Sequence, residues 1–213
     1  MTKLDILSDP ICPWCHIGRA NLFRAMEARP DHGLTLEWHP FQLNPDMPRA
    51  GMDRRAYLEG KFGGREGAAQ AYAPVLEAAE AAGLAIDFAA IERTPNTLDA
   101  HRLIHWAGLE GRQTPVATAL FQAYFEQGRD IGDTATLIEI GAARGMDGAV
   151  LERLFSTDAD VDDIRARDAH ARARGVTGVP TFVLGQRHVL PGAQPVALWT
   201  QVIDELAEQR VLS

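Results

Sequence analysis

Two cysteines separated by two residues, Cys12 and Cys15, constrain this chain more than any other feature. They are the only cysteines in 213 residues, too few for a secreted scaffold held together by disulfides. Residues 4–7 before them have the apolar character of a short strand, and Pro13 suits the first turn of a helix. A C-x-x-C pair placed where a strand leads into a helix indicates chemistry at the sulfur atoms.

The position of the pair assigns different roles to the two sulfur atoms. Backbone N–H groups and the positive end of a helix stabilise a thiolate, so we predict that Cys12 is the nucleophile, the more exposed cysteine and the one with the lower pKa. Cys15, one turn further, would attack a mixed disulfide on Cys12 and release the partner. Pro13 and Trp14 would tune the reactivity through backbone geometry and access, and a charge on His16 would favour the thiolate.

The motif alone leaves other interpretations open. Together with His16 it matches the attachment sequence of c-type haem, which requires export and a second axial ligand that the sequence does not indicate. A zinc site would need further ligands, and His101 and His105 lie in a helical pattern where surface or packing roles are the simpler interpretation. Two inert buried cysteines are the third alternative. We expect no metal site and no permanently bound organic cofactor.

Hydrophobic periodicity predicts two kinds of structure along the chain, mixed strand and helix at the two ends and helix alone between them. Residues 1–45 predict a strand, a helix and a second strand, because apolar and polar residues alternate in LTLEWHP. Residues 46–155 are alanine-rich with helical spacing and no convincing strand, which predicts an all-helical insertion. Residues 156–213 predict a helix, two strands joined at Gly185-Gln186 by a type II′ turn, and a last helix. The prediction is an α/β domain formed by the two ends, with the insertion between them.

Composition and charge exclude several classes of function. The chain has 21 lysines and arginines against 29 acidic residues and a net charge of −8, which argues against nucleic acid or an anionic membrane as a partner. No apolar run approaches the roughly 20 residues of a membrane helix, and the first residues lack a positive leader with a long apolar stretch. We therefore expect a soluble cytoplasmic protein. The sequence does not distinguish a monomer from a homodimer.

Gly178, Val179 and Pro180 stand directly before the predicted strand TFVL, which begins at Thr181. By itself the proline indicates a trans residue at the start of a strand, since X-Pro bonds are cis in only about one case in twenty. The combination of CPWC after a first strand, a helical insertion, and GVPTF before a hairpin and helix changes that interpretation. Across essentially the whole chain, it resembles the DsbA-like branch of the thioredoxin superfamily.

Within that branch the sequence looks most like FrnE-type thiol–disulfide oxidoreductases. The resemblance rests on four blocks, which are S-D-x-x-C-P-W-C-x-I-G at residues 8–18, F-x-L-N-P-D-M-P at 41–48, N-T-x-x-A-H-R at 96–102 and G-A-Q-P at 192–195. The blocks together are highly specific for the fold and less specific for the subfamily.

The resemblance implies a thioredoxin fold with a central mixed four-stranded sheet. It also implies that Cys12 is the nucleophile, that Cys15 resolves, and that Pro180 is cis and faces them, while Val179 presents its backbone to the substrate. An extended peptide that pairs with this backbone would give broad specificity for protein disulfides. In a reducing cytoplasm, reduction or isomerisation with glutathione or a thioredoxin-type donor is favoured over net oxidation.

Related scaffolds support a second hypothesis. Kappa-class glutathione transferases and 2-hydroxychromene-2-carboxylate isomerases bind glutathione between the core and the insertion, and they typically carry serine at the position of Cys12. Asn44, Lys61 and the Asn96-Thr97 block fall in regions that shape that pocket, so we predict Asn44 as a substrate-binding residue. The simpler interpretations are a turn residue, a solvated helix end and a helix cap, respectively.

A third hypothesis is a chaperone-like protein that binds peptides without redox chemistry. Trp14, Phe41 and Met47 would then supply an apolar surface beside Cys12. Aromatic side chains more often belong to the core, and this remains the simpler interpretation of Phe41.

Overall fold

The elements alternate between strand and helix at both ends of the chain and are mainly helical between them. The structure is a computed structural model that describes residues 1–211. In chain order, the elements are β1 (Thr2–Ser8), α1 (Pro13–Glu27), β2 (Leu34–Pro40), β3 (Met52–Asp53), α2 (Arg54–Phe62), α3 (Arg65–Ala81), β4 (Arg93–Thr94), α4 (Leu98–Leu109), α5 (Gln113–Phe125), α6 (Thr134–Ala143), α7 (Gly148–Phe155), α8 (Val161–Ala173), β5 (Thr181–Leu184), β6 (His188–Pro191) and α9 (Val196–Val211). The last two residues of the predicted segment 156–213 lie outside the described residues.

The main sheet joins the two ends of the chain. Its strand order is β2-β1-β5-β6, with β1 parallel to β2 and antiparallel to β5, and β5 antiparallel to β6. Leu4 is 0% exposed because β1 is central: it lies opposite Leu36 on β2 and Leu184 on β5. The predicted thioredoxin fold with a mixed four-stranded sheet is confirmed.

Helix α1 begins where the sequence predicts it. Pro13 occupies the first turn, where its missing N–H costs no intrahelical bond. Cys12 is the N-cap, with an extended backbone at φ −87° and ψ 114°. Leu22 and Ala25 are fully buried, and the helix packs against α9. This packing fixes the start of α1 relative to the sheet.

The segment between the two ends contains α2–α7 and one feature that the sequence does not predict. Strands β3 and β4 form an antiparallel ladder in which Met52 pairs with Thr94 and Asp53 with Arg93. Two-residue strands are too short to show alternation, so periodicity cannot detect them. The ladder ties the start of α2 to the segment before α4. The proposed boundaries of the insertion, 46–155, stay a prediction.

The terminal hairpin differs from the prediction in its turn. Gly185 and Gln186 both have positive φ, 56° and 61°, which is the pattern of a type I′ turn; a type II′ turn needs positive φ only at its first position. The Arg187 N–H donates to the Leu184 carbonyl at 3.1 Å. The predicted type II′ turn is wrong, because a non-glycine residue takes the left-handed conformation here.

None of the helices within residues 1–211 combines the length and the apolar character that crossing a membrane requires.

Gly18 generates a prediction about stability. A Cβ at this position would lie 3.2 Å from the Pro180 side chain and 3.3 Å from Ala193 Cα and the Phe182 ring, so we expect Gly18→Ala to lower the free energy of unfolding by about 1–2 kcal/mol. The matched control is Gly60→Ala in α2, where a Cβ meets nothing within 4 Å, and we expect a gain of about 0.5–1 kcal/mol. Urea denaturation measures both. A Gly18→Ala protein as stable as the wild type would contradict this close packing.

Candidate active site

The start of α1 holds the two cysteines close together. The Cys12 N–H donates to the Asp9 carbonyl at 2.9 Å, and the N–H of Cys15 donates to the Cys12 carbonyl at 3.0 Å. The two cysteines are 3.4 Å apart, and both are free thiols. One helical turn therefore places the second sulfur within reach of the first.

The loop before β5 faces this helix start. The Val179–Pro180 peptide bond is cis, as the resemblance implies. The Cys12 thiol donates to the Val179 carbonyl at 3.5 Å, and the Pro180 carbonyl accepts from the Gly192 N–H at 2.7 Å. The structure thus brings Cys12, Cys15, Val179 and Pro180 together from opposite ends of the chain.

The two thiols are both buried, which differs from the expected exposure of Cys12. Cys12 is 3% and Cys15 2% exposed, while Trp14 between them is 36% exposed. Burial raises the pKa of Cys15 well above its ordinary value, and the hydrogen bond and charge of Cys12 raise it further; the Asp9 backbone and the Ser8 hydroxyl oppose this only partly. Cys15 is therefore a protonated thiol at neutral pH.

His16 does not carry the charge that its position beside Cys15 predicts. Its ring is stacked between Phe121 and Phe125, with centroids 5.4 and 5.5 Å away. Burial, followed by the charge of Arg19, lowers the pKa of His16 to about 3. The neutral ring accepts from Arg19 at Nδ1 (3.4 Å) and donates from Nε2 to Glu126 (3.2 Å). His16 thus joins α1 to α5 and supplies no positive charge to a thiolate.

A buried carboxylate organises the loop before α1. Asp9 is 0% exposed, and its Oδ2 accepts from the Leu43 N–H at 2.7 Å. Its Oδ1 lies 3.7 Å from Nε2 of His101, which is itself buried. His105 instead contacts Arg167, whose Nη1 lies 3.1 Å from its Nδ1. The two histidines have different partners and do not converge on a metal site.

A pocket of about 270 Å³ opens beside Cys12, between the cis-proline loop and the helices α2 and α3. Its floor comes from α1 and the cis-proline loop, and its cover comes from α2 and α3. Among its lining residues are Cys12, Trp14, Arg54, Tyr57, Lys61, Tyr72, Thr94, Tyr124 and Val179. Cys15 does not line it.

Polar groups from the insertion cover one side of this pocket. Arg54 donates from Nη1 to the Tyr124 hydroxyl at 2.9 Å and from Nη2 to the Tyr72 hydroxyl at 3.2 Å. Lys61 donates to the Tyr57 hydroxyl at 2.7 Å. Sequence reasoning missed Arg54, Tyr72 and Tyr124, because nothing in RRAY distinguishes a buried arginine from its exposed neighbour.

Asn44 and Asn96 lie outside the pocket lining. The Asn44 carbonyl accepts from the Met47 N–H at 3.1 Å, which is the expected turn, and its side chain accepts from Tyr57 at 2.9 Å. Asn96 accepts from the Leu98 N–H at 2.9 Å and donates to the Met47 carbonyl at 2.6 Å. Both residues therefore have local structural roles, and substrate binding by Asn44 stays a prediction that only its contact with Tyr57 supports.

The apolar surface expected from Trp14, Phe41 and Met47 is not formed. Phe41 is 2% and Met47 7% exposed, and the Arg172 guanidinium lies 4.1 Å from the centre of the Phe41 ring. Both side chains belong to the core, which leaves Trp14 as the exposed member of the three. That expectation is wrong for Phe41 and Met47.

A thioredoxin fold whose C-x-x-C pair starts the first long helix and faces a cis-proline defines the class of thioredoxin-like thiol proteins. The sequence profile of the DSBA-like thioredoxin domain matches residues 3–204. The chain belongs to this family, and it is an oxidoreductase enzyme of the DsbA kind.

Several solved structures are similar to this chain. A probable DsbA oxidoreductase from Streptomyces coelicolor is 29% identical, with a TM-score of 0.85 over 96% of this chain and 89% of that one. A 2-hydroxychromene-2-carboxylate isomerase is 19% identical, with a TM-score of 0.72 over 99% of each chain. The cytosolic disulfide reductase DsbM from Pseudomonas aeruginosa, solved with GSH, is 22% identical, with a TM-score of 0.66 over 97% and 99%. The last two similarities show the fold alone.

The difference between the two thiols generates a prediction about their reactivity. Because burial and Cys12 raise the pKa of Cys15, iodoacetamide should modify Cys12 at least about tenfold faster than Cys15 at pH 7. Peptide mass spectrometry of the reduced protein after short exposures measures both rates. Cys12→Ser and Cys15→Ser proteins identify each peptide. Faster modification of Cys15 would overturn the assignment of Cys12 as nucleophile.

The buried His16 generates a prediction about pH. Its pKa is lowered to about 3 in the folded state, so its contribution to stability is present above about pH 6.5 and is lost as the pH falls toward 3. Between pH 6.5 and 5, this one proton should cost up to about 1.4 kcal/mol per pH unit. Urea denaturation at several pH values should show a shallower slope for His16→Gln. The exposed His188→Gln is the control, and an unchanged slope in His16→Gln would refute the assignment.

Proposed function

We propose that the protein is a thiol–disulfide oxidoreductase that reduces or rearranges disulfides through Cys12 and Cys15. The observation that carries the proposal is the pairing of two free thiols 3.4 Å apart with a cis-proline loop whose Val179 carbonyl lies 3.5 Å from the Cys12 sulfur. A sulfur at the start of a helix is favoured as a thiolate. A second sulfur one turn away can attack the mixed disulfide on the first sulfur and release the substrate.

The proposed reaction consists of two successive thiol–disulfide exchanges. The Cys12 thiolate attacks one sulfur of the substrate disulfide, forms a mixed disulfide and releases the first substrate thiolate. Cys15 then loses its proton and attacks the Cys12 sulfur, forming the Cys12–Cys15 disulfide and releasing the second thiolate. The substrate gains two electrons and the protein loses them. A thiol donor returns the pair to its reduced form.

The surrounding residues have proposed roles in the first exchange. Pro13 and Trp14 limit the approach to Cys12, since Trp14 is the exposed side chain of the motif. Val179, which is half-buried, and Pro180 form the wall against which an extended segment of a substrate lies. The raised pKa of Cys15 keeps it protonated until a mixed disulfide has formed. His16 acts here only as a structural link.

The direction of the reaction is part of the proposal. We place the enzyme in the cytoplasm as a reductase or isomerase, with glutathione or a thioredoxin-type protein as electron donor and protein disulfides among its substrates. A compartment that keeps thiols reduced favours this direction over net oxidation. The similarity to a DsbM structure described as a cytosolic disulfide reductase is in line with this direction. No bound cofactor is needed, because the two sulfur atoms carry both electrons.

A glutathione-dependent transferase or 2-hydroxychromene-2-carboxylate isomerase is the alternative function. The pocket between the sheet domain and α2–α3 favours it, since a small thiol fits that position. The cysteine at position 12 disfavours it, because such enzymes typically carry serine there. The two functions differ in one measurable property, the formation of an internal disulfide.

Equilibration of the pair against glutathione tests the proposal. We expect a reversible two-electron couple, with mass spectrometry reporting the thiol, the internal disulfide and the glutathione adduct. A potential near about −270 mV indicates a reductase, and one near about −120 mV an oxidant or isomerase. Failure to form an internal disulfide while glutathione binds without exchange would replace this proposal with the transferase or isomerase function.

Single substitutions should distinguish the roles of the two cysteines in an insulin-reduction assay. Cys12→Ser should lose at least about a hundredfold in rate because the nucleophile is gone. Cys15→Ser should accumulate a mixed disulfide with the substrate, visible as added mass on Cys12, because nothing resolves it. Glu27→Gln, an exposed position at the other end of α1, controls for general effects of substitution on that helix. Full activity of Cys12→Ser would contradict the assigned chemistry.

A further inference from the structure

Arg54 is a buried cation at the pocket beside Cys12. Its side chain is enclosed by three aromatic rings, with the guanidinium carbon 5.6 Å from the centre of Tyr72, 5.4 Å from Phe88 and 5.8 Å from Tyr124. The residue is only 6% exposed. The ring faces offset part of the cost of burying this charge, but they supply no negative charge to balance it.

No carboxylate supplies that compensation within residues 1–211. The polar partners of the Arg54 side chain are the Tyr72 and Tyr124 hydroxyls. Burial raises the pKa of both phenols, so they stay neutral. Asp53 and Glu92 line a neighbouring groove together with Arg54, but neither lies within ion-pair distance of its guanidinium. The charge of Arg54 is therefore unpaired.

Unused hydrogen-bonding groups lie in the same pocket. The Thr94 hydroxyl is buried beside the Tyr124 hydroxyl, whose pKa it lowers, but it makes no well-formed hydrogen bond in the described part of the chain. The Tyr72 hydroxyl accepts from Arg54, which leaves its own proton available to an acceptor. A ligand oxygen at this position would find donors from Arg54, Tyr72 and Thr94. Buried donors without acceptors indicate a site that is completed by a ligand.

The charged residues of the whole pocket also favour an anionic ligand. Lys61 at its edge donates to the Tyr57 hydroxyl and forms no ion pair with a carboxylate in residues 1–211. None of the residues that line the pocket is an aspartate or a glutamate. In a chain whose net charge is −8, a pocket with two cations and no acid is a local exception. Its field favours an anion.

We propose that Arg54, with Lys61 at the rim, binds an anionic group of the substrate, so that the enzyme prefers small disulfides carrying a carboxylate near the sulfur. This inference rests on the proposed function and names the substrate class of the same site. The pocket volume of about 270 Å³ suits a small molecule or one end of a peptide. Arg54 is a specificity-determining residue in this proposal, and Cys12 remains the reacting atom.

A series of small disulfides of similar size and different charge tests the proposal. The probes are 3,3′-dithiodipropionate (anionic), bis(2-hydroxyethyl) disulfide (neutral) and cystamine (cationic), each oxidising the reduced protein under pseudo-first-order conditions. Each rate is divided by the rate of the same probe with a free CPWC peptide. This normalisation corrects for differences in intrinsic reactivity among the three probes. We expect the normalised rate with the anionic probe to exceed the neutral one by at least about tenfold, and the cationic probe to be slowest.

Arginine variants assign the preference to one residue. Arg54→Gln should lower the anionic-to-neutral ratio to within about twofold of unity, and Arg54→Lys should keep part of it because the charge remains. The matched control is Arg55→Gln, the next residue, which is exposed and paired with Glu59 at 2.8 Å. It should keep the wild-type ratio. A wild-type protein without anion preference, or an Arg54→Gln protein that retains it, overturns the inference.

Failure of the two proposals can be distinguished. If none of the three probes oxidises the Cys12–Cys15 pair, the proposed function fails; if all react at the same normalised rate, only the anion site fails. A second measurement needs no variant and covers the case in which Arg54→Gln does not fold. It compares alkylation of wild-type Cys12 by iodoacetate and iodoacetamide. We expect the iodoacetate-to-iodoacetamide ratio to exceed that of the CPWC peptide by at least about fivefold, and an equal or lower ratio overturns the inference.

Discussion

The contact between the start of α1 and the cis-proline loop is the constraint on which the rest of the site depends. The Cys12 thiol and the Val179 carbonyl are 167 positions apart in sequence and 3.5 Å apart in space. Two features make this approach possible: β1 pairs with both β2 and β5, and Gly18 leaves room for Pro180 one and a half turns along the helix. A larger residue at position 18 would push α1 away from the loop, and the sulfur atoms would move with it.

The two parts of the chain contribute different chemistry around this contact. The sheet domain supplies the sulfur atoms and the backbone of the cis-proline loop, which are suited to exchange with many disulfides. The insertion supplies Arg54, Lys61 and the phenol groups, which are suited to selecting among them. His16, between Phe121 and Phe125, is one of the side chains that join the parts. Because its ring is buried and neutral, His16 itself adds no charge to the site.

Sequence reasoning succeeds here where the signal is local and fails where it depends on distant partners. Alternation in LTLEWHP and Pro13 in the first turn predict the strand–helix–strand opening, because both are properties of neighbouring residues. The cis bond at Pro180 follows only from the resemblance. Arg54 cannot be distinguished from Arg55 in the sequence, since its partners Tyr72 and Tyr124 lie 18 and 70 positions further along the chain.

The same limit explains the expectations that failed. His16 follows the cysteine pair directly, and proximity in sequence suggested a charge that acts on the thiolate. The helix instead turns its ring toward α5, where burial and the charge of Arg19 lower the pKa of the ring and keep it neutral. Phe41 and Met47 stand in a block that marks the family, yet they are conventional core residues. A motif identifies residues that occur together, whereas burial and electrostatics depend on which helices pack against them.

Access and protonation together order the proposed reaction. Cys12 lines the pocket and Cys15 does not, so an incoming disulfide meets one sulfur only. Burial keeps Cys15 protonated, so it does not compete for the substrate. Positive charge in the pocket acts in the same direction, because it attracts an anionic disulfide to the sulfur that lines the pocket. Once the mixed disulfide replaces the Cys12 thiol, the charge and hydrogen bond through which Cys12 raises the pKa of Cys15 are removed. Formation of the first bond thereby prepares the second sulfur to break it.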